Sequence, residues 1–222
     1  MVALAVLSVH TEVLAGTTAL EDRLLSCVSE CSETQERYTA VVLLGNVRAS
    51  PDAISRLDAA KDGTSDPLFR VLAAYVLYRL ESHRKERGEE YVEAIAAEGV
   101  GGQLWPLAIR NTRYFNIIDF WEHLADIAVN FDNPKAMDVL FRLAGESGAN
   151  ELPSSAIIAA VVRDPVKAVA IMDRIEADEA VLKVAMELSL NKRDGLRIQR
   201  ALEKSDSGSS YRRLLLEHIA GR

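Results

Sequence analysis

Two cysteines are the side chains of this 222-residue chain that most readily do redox or metal chemistry. Cys27 and Cys31 are four residues apart in a helical pattern, which places their side chains roughly parallel on one helix face, a poor geometry for a disulfide. We therefore expect two buried free thiols, as in a protein of the reducing cytoplasm. A zinc site needs two further ligands, and no second pair with ligand spacing is present.

The motifs of the common enzyme classes do not occur in the chain. It has no phosphate-binding loop, no dinucleotide loop, no zinc-protease helix and no nucleophile elbow. Its four histidines are scattered without metal-ligand spacing, and Glu122 and Glu217 each stand directly before one of them, which turns acid and imidazole to different sides of a helix. We therefore predict no catalytic residue, no metal ligand and no cofactor.

The charge distribution has one local bias. The chain carries 26 basic and 33 acidic residues, a net charge of −7, which argues against a protein that coats nucleic acid. Residues 192–222 reverse this balance, with eight basic residues against four acidic ones. Such a run is typical of a solvated terminal cap, and the alternative is an edge that binds anions such as phosphate.

Aromatic residues concentrate in the middle of the chain. Six of the 13 aromatic side chains lie within residues 105–131. An inter-helix core is the ordinary explanation, and a partner-binding groove is the alternative, because aromatic residues are enriched at binding hot spots. We expect Trp121, on one stripe with Leu124, to be core. The candidate partner-binding residues are Trp105, Arg110, Arg113, Tyr114 and Phe115.

Helix starts are marked clearly along the chain. A capping residue precedes a proline at Ser50-Pro51, Asp66-Pro67, Asn133-Pro134 and Asp164-Pro165. Capping boxes are predicted at Thr18–Glu21 and Ser32–Gln35. Apolar residues recur every three or four positions between these starts, and no alternating strand pattern occurs. The sequence therefore predicts an all-α protein of ten to a dozen helices.

One segment of the chain repeats. Residues 37–47 align with residues 70–80 at an offset of 33, so that Arg70, Ala73 and Leu77 coincide with an arginine, an alanine and a leucine of the earlier segment. A shorter amphipathic helix at 51–60 separates the two copies, so each unit is a helix pair that buries its apolar face only by stacking. Weaker copies begin at Asn133 and Asp164.

Residues 52–80 resemble a HEAT-like repeat of the short, lyase-associated type. The resemblance implies a right-handed α-solenoid of stacked antiparallel helix pairs, an armadillo-like superhelix with a concave binding face. We expect a single domain over 1–222, with the clearest repeats at 34–80 and degenerate repeats at 133–190. In this repeat type, Arg70 is expected to bond across the turn to a nearby aspartate, and the candidates are Asp58, Asp62 and Asp66.

The sequence leads us to predict a non-catalytic protein-binding module or adaptor that uses the concave face. The alternatives are an enzyme or lyase- or repair-type enzyme subunit on the same scaffold, and anion or nucleic-acid binding through the basic C-terminal edge. No segment has the length of a membrane span. We expect a cytoplasmic protein, or an exported one if residues 1–15 are a signal peptide, and the oligomeric state stays open.

Overall fold

A computed structural model of the chain describes residues 19–98, 117–146 and 151–221. Every regular element in these ranges is an α-helix, which confirms the all-α class. Within the same ranges, no helix combines the length and the apolar character that crossing a membrane requires. The chain divides into two compact units, Met1–Asn116 and Ile117–Arg222, each described by itself. The expected single domain stays a prediction.

The described part of the first unit contains five helices, and its helix starts follow from local capping. The helices are α1 (19–30), α2 (Thr34–Leu44), α3 (Pro51–Gly63), α4 (Pro67–Leu80) and α5 (Lys85–Glu98). Ser50 caps α3 by accepting a hydrogen bond from the Ala53 N–H, and Asp66 caps α4 in the same way from the Phe69 N–H. In both helices a proline fills the first helical position.

The capping box predicted at Ser32 is wrong. Helix α2 begins at Thr34, and its N-cap residue is Glu33, whose side chain makes no capping bond. A different contact ties the start of α2 to the preceding helix, because the Arg37 Nε donates to the Val28 carbonyl at 3.2 Å. The other predicted box includes Thr18, which lies outside the described residues.

Glu21, the acidic residue of the box predicted at Thr18–Glu21, has a role that spacing alone does not show. Its carboxylate accepts hydrogen bonds from the Ser50 N–H at 2.8 Å and from the Ser50 hydroxyl at 2.5 Å. Glu21 is therefore buried, with 6% of its surface exposed. Ser50 thus links α1 to α3 while it caps α3.

Helix α4 forms the centre of the first unit, and α2, α3 and α5 all contact it. Ten of the eleven side chains from Leu68 to Tyr78 on α4 are buried, and Arg70 is the exception. Ala73 and Ala74 are buried as predicted, and Ala40 of α2 is buried as well. Small residues at these positions let the helices approach closely.

The described part of the second unit contains seven helices. They are α6 (Ile117–Asn130), α7 (Pro134–Glu146), α8 (Glu151–Arg163), α9 (Pro165–Ile175), α10 (Glu179–Ser189), α11 (Lys192–Leu202) and α12 (Ser210–Ala220). The predicted caps are confirmed, since Asn133 accepts from the Ala136 N–H and Asp164 from the Lys167 N–H. Trp121 is core as expected, with 3% of its surface exposed.

Helices in the second unit contact their next-but-one neighbours as well as their direct neighbours. Helix α8 contacts both α6 and α10, and α9 contacts both α7 and α11. Leu140 of α7 and Ile171 of α9, which the weaker repeat aligns, are both fully buried. These contacts are consistent with helices stacked in two layers.

The expectation of two buried free thiols is wrong, because Cys27 and Cys31 form a disulfide. Helix α1 ends at residue 30, so Cys31 lies beyond the helix and its side chain is not held parallel to that of Cys27. The two Cα atoms are 4.6 Å apart, within the usual range for a disulfide. Both residues are half-buried. The predicted cytoplasmic location therefore gains no support from this pair.

Candidate functional site

The five predicted partner-binding residues all belong to one short segment of the chain. Trp105, Arg110, Arg113, Tyr114 and Phe115 fall between residues 98 and 117, outside the described ranges. Their role stays a prediction. The candidate site described here comes from the first unit and consists of other residues.

An open cleft of about 610 Å³ lies between α3, α4 and α5. Its described lining contains five carboxylates, two cationic side chains and three alanines. They are Asp62, Glu86, Glu89, Glu90, Glu93, Lys61, Arg70, Ala74, Ala94 and Ala97. We call this surface the acidic cleft.

Helix α5 supplies most of the acidic cleft. Glu86, Glu90 and Glu93 are spaced by four and three residues, so they share one helix face. The opposite face of α5 buries Tyr91 and Ile95. This amphipathic pattern fixes which side of α5 faces the core and leaves the carboxylates toward solvent.

Lys61 lies at the inner edge of the acidic cleft, and carboxylates surround its ammonium group. The Nζ atom is 2.9 Å from Glu90 Oε2, 2.9 Å from Asp58 Oδ1 and 3.4 Å from Asp62 Oδ1. Burial opposes the charge, but the hydrogen bonds from Lys61 to Glu90 and Asp58 outweigh it and raise the pKa of Lys61. Lys61 is therefore charged and already neutralised by acids of the protein itself.

Arg87 completes a set of ion pairs that we call the α3–α5 ion network. Its guanidinium binds both Asp58 oxygens, at 3.0 and 2.9 Å, and also contacts Glu90 at 2.8 Å and Glu81. Burial raises the pKa of the Asp58 and Glu90 carboxyls, but hydrogen bonds from the two cations more than compensate, so both pKa values are lowered. Both carboxyls are therefore ionised near neutral pH and held by the two cations.

Arg70, the second cation of the acidic cleft, is also anchored by the protein. Its Nη2 donates to the Thr64 carbonyl at 2.9 Å, across the turn between α3 and α4. The three candidate aspartates each contact another residue as well, and the expected bond from Arg70 to one of them stays a prediction. Asp58 binds Arg87, Asp62 lies near Lys61, and Asp66 accepts a hydrogen bond from the Tyr38 hydroxyl at 2.8 Å.

A basic surface lies on α11 in the second unit. It contains an open pocket of about 620 Å³. The pocket is lined by Arg193, Leu196, Arg197, Arg200, Ala201 and Lys204. Within the described ranges, none of these four cationic side chains makes an ion pair or a side-chain hydrogen bond. Leu196 is 46% exposed among them. We call this surface the α11 basic face.

One group of potential metal ligands is present in the described residues. The sulfur atoms of Cys27 and Cys31 and a carboxylate oxygen of Glu36 all lie within 4.8 Å of one another. Sequence spacing connects only the two cysteines, because Glu36 belongs to the next helix.

Part of the acidic cleft has a sequence signal. The spacing of glutamates from 86 to 93 marks an acidic helix face, a pattern that is ordinarily a solvated surface and points to no site by itself. The apposition of that face with Lys61 and Asp62 depends on how α3 and α5 pack. Comparison with known proteins finds no family model, no curated protein and no solved structure that matches this chain.

Proposed function

We propose that this chain is a non-catalytic binding module whose acidic cleft receives a basic helical segment of a protein partner. The observation that carries the proposal is the charge imbalance of the cleft, with five carboxylates against two cations. Surfaces of opposite charge steer association and fix the register of a bound partner.

The two cations of the acidic cleft offset only part of this imbalance, because five carboxylates face two positive charges. Lys61 is buried and matched by Asp58 and Glu90, and the Arg70 guanidinium is directed to a backbone carbonyl. Of the exposed carboxylates of the cleft, Glu86, Glu89 and Glu93 stand on α5 and Asp62 stands on α3. An incoming lysine or arginine therefore meets exposed carboxylates from both α3 and α5, most of them glutamates of α5.

The alanines that line the acidic cleft can contact apolar groups of a partner. Ala74 on α4 and Ala94 on α5 are buried, and Ala97 is exposed three residues further along α5. Because alanine side chains are small, side chains of a partner can enter the cleft above them. A volume of this size falls in the range of pockets that hold a small ligand or a few side chains.

The proposed architecture is the HEAT-like α-solenoid with a concave binding face. Two observations support it: the repeat that places Ala40 and Ala73 at equivalent buried positions, and the next-but-one contacts of the second unit. In such arrays, successive helix pairs build an extended binding surface. The acidic cleft, formed by three successive helices, is a surface of this kind.

Isothermal titration calorimetry with a synthetic peptide tests the proposal. The probe is an amphipathic helical peptide with lysine and arginine on one face and alanine and leucine on the other, and its counterpart carries glutamate in place of the cations. We expect binding of the basic peptide only, weakening as salt increases, because salt screens exposed charges.

The matched variants assign any binding to the cleft. Glu89→Lys with Glu93→Lys should weaken binding by at least about tenfold, or about 1.4 kcal/mol. Glu30→Lys with Glu33→Lys makes the same change in net charge on exposed residues of the first unit that do not line the cleft. Equal weakening by both double variants would mean that the peptide responds only to net charge and would contradict the proposal.

A second candidate function is anion binding at the α11 basic face. The specific observation is that its four cations lack protein partners within the described ranges, so they can contact phosphate groups directly. We expect a phosphate-rich ligand such as a DNA oligonucleotide to bind with an affinity that falls steeply with salt. Arg197→Ala with Arg200→Ala should reduce the slope of the logarithm of the affinity against the logarithm of the salt concentration by about two. Fluorescence anisotropy measures the affinity at each salt concentration.

A further inference from the structure

Three potential metal ligands meet where the first helix passes into the second. Cys27 lies in the last turn of α1, Cys31 follows the end of α1, and Glu36 lies in the first turn of α2. Two sulfur atoms and one carboxylate oxygen from these residues are within 4.8 Å of one another. None of them belongs to the acidic cleft or to the α11 basic face.

The backbone around this group is held by several hydrogen bonds. The Cys31 N–H donates to the Cys27 carbonyl at 3.1 Å, and the Glu36 N–H donates to the Glu33 carbonyl at 3.1 Å. Arg37 connects the two helices through its bond to the Val28 carbonyl. The three ligands therefore come from a fixed junction and not from a free loop, which lowers the entropy cost of collecting them around an ion.

We propose that the dithiol form of this junction binds one Zn²⁺ through Cys27, Cys31 and Glu36. Zinc prefers cysteine sulfur at about 2.3 Å and carboxylate oxygen at about 2.0–2.2 Å in a tetrahedral arrangement. Two sulfurs on such an ion lie about 3.8 Å apart, so the sulfur atoms, which are bonded to each other in the disulfide, move apart on reduction to take up the ion. Water occupies the fourth position, since three protein ligands leave it open.

Disulfide and zinc are alternative states of the same two sulfur atoms. A monothiol such as glutathione converts the disulfide into two cysteine thiols, and two of its molecules are oxidised to their own disulfide. Zn²⁺ then binds the two thiolates, and the two thiol protons are released to solvent. Two thiolates and one carboxylate carry three negative charges, which the ion reduces to one.

The junction is accessible to both reagents. Cys27 and Cys31 are half-buried and Glu36 is exposed, so a thiol or a metal ion can reach them without opening the core. Zinc binding at this position therefore depends on the redox state of the chain.

Cobalt substitution tests this site with the full chain. After reduction and removal of the reductant without air, one equivalent of Co²⁺ should produce cobalt–thiolate absorption in the ultraviolet and the visible bands of a tetrahedral ion. Zn²⁺ should displace it, and a chromophoric chelator then reports the zinc affinity. The disulfide form of the same protein should show neither signal.

Variants distinguish the three-ligand site from a simple thiol pair. Glu36→Gln should weaken zinc binding by about tenfold or more, whereas Glu33→Gln, a neighbouring exposed acid outside the ligand set, should change it less than twofold. Circular dichroism checks that each reduced variant keeps its helices, and Cys27→Ser should abolish the thiolate signal. Absence of the cobalt signal in the reduced parent, equal affinity of Glu36→Gln and the parent, or a native mass with two chains per ion would each overturn the proposal.

Discussion

Arg87 on α5 holds the Asp58 carboxylate on α3 by two parallel hydrogen bonds, Nη1 to Oδ1 at 3.0 Å and Nη2 to Oδ2 at 2.9 Å. The planar guanidinium matches both carboxylate oxygens at once, which a lysine cannot do. Arg87 is 16% exposed and Asp58 is 30% exposed, so water screens this pair only in part. The pair fixes the two helices that carry the acidic side chains of the cleft.

We predict that Arg87→Lys lowers the free energy of unfolding by about 1–2 kcal/mol. The charge is kept, but the two-pronged bond to Asp58 is lost. Urea denaturation measures the difference. Arg84→Lys is the control, because Arg84 is 64% exposed and bonds only to Glu81, within the connection between α4 and α5; its effect should be within about 0.5 kcal/mol. Equal effects at the two positions would refute a structural role for the network.

Low pH should lower the stability of the first unit through Asp58 and Glu90. Their pKa values are lowered in the folded state from ordinary values of 3.8 and 4.5, so the unfolded chain binds more protons in this range. The stabilisation is present above these ordinary values and is lost as the pH falls through the folded-state pKa values.

The melting temperature should therefore fall on acidification from about pH 5 to pH 3, and Asp58→Asn should flatten this fall. Asp52→Asn, at a carboxylate that is 79% exposed on the same helix, serves as the control and should leave the slope unchanged. A slope that Asp58→Asn does not alter would mean that other acids govern acid unfolding.

Ser50→Ala should destabilise the chain more than the loss of an ordinary cap. The substitution removes the cap of α3 and one of two donors to the buried Glu21 carboxylate, and together these contributions are about 2–4 kcal/mol. Asn191→Ala removes an exposed cap on α11 and should cost about 0.5–2 kcal/mol. Chemical denaturation compares the two variants, and a smaller loss at Ser50 would count against the Glu21 contact.

Ala73→Leu should destabilise the protein by about 1–3 kcal/mol, because a larger side chain overfills the fully buried position on α4. Ala59→Leu makes the same change at an exposed position of α3 and should have an effect within about 0.5 kcal/mol. Differential scanning calorimetry measures both. An unchanged melting temperature for Ala73→Leu would remove the packing basis of the repeat.

Local features of the fold could be predicted because their causes are local. Asp66 and Asp164 each accept a hydrogen bond from the N–H three residues later. The capping residue and the proline that follows it therefore predict each helix start from sequence. The capping box at Ser32 failed because residues 31–33 belong to the connection, where Glu33 and not Ser32 precedes the helix. The disulfide was missed for a related reason, since Cys31 lies just beyond the end of α1.

The candidate site depended on contacts between residues distant in the sequence. Glu90 and Lys61 are 29 residues apart, and their hydrogen bond exists only because α3 and α5 both pack near α4. A helical spacing pattern shows that α5 has an acidic face but cannot show which surface lies beside it. For the same reason Glu36 could not be joined to the cysteine pair from spacing alone.

Nuclear magnetic resonance of the ¹⁵N-labelled chain, titrated with the basic amphipathic peptide, tests the binding-module proposal most directly. The proposal predicts saturable shifts of amide signals that concentrate at the acidic cleft, on Glu89, Glu93, Ala94 and Ala97, and that disappear in the Glu89→Lys, Glu93→Lys variant. The acidic peptide should produce none. Shifts spread evenly over the exposed acids of the chain, or no shifts at the cleft, would contradict it.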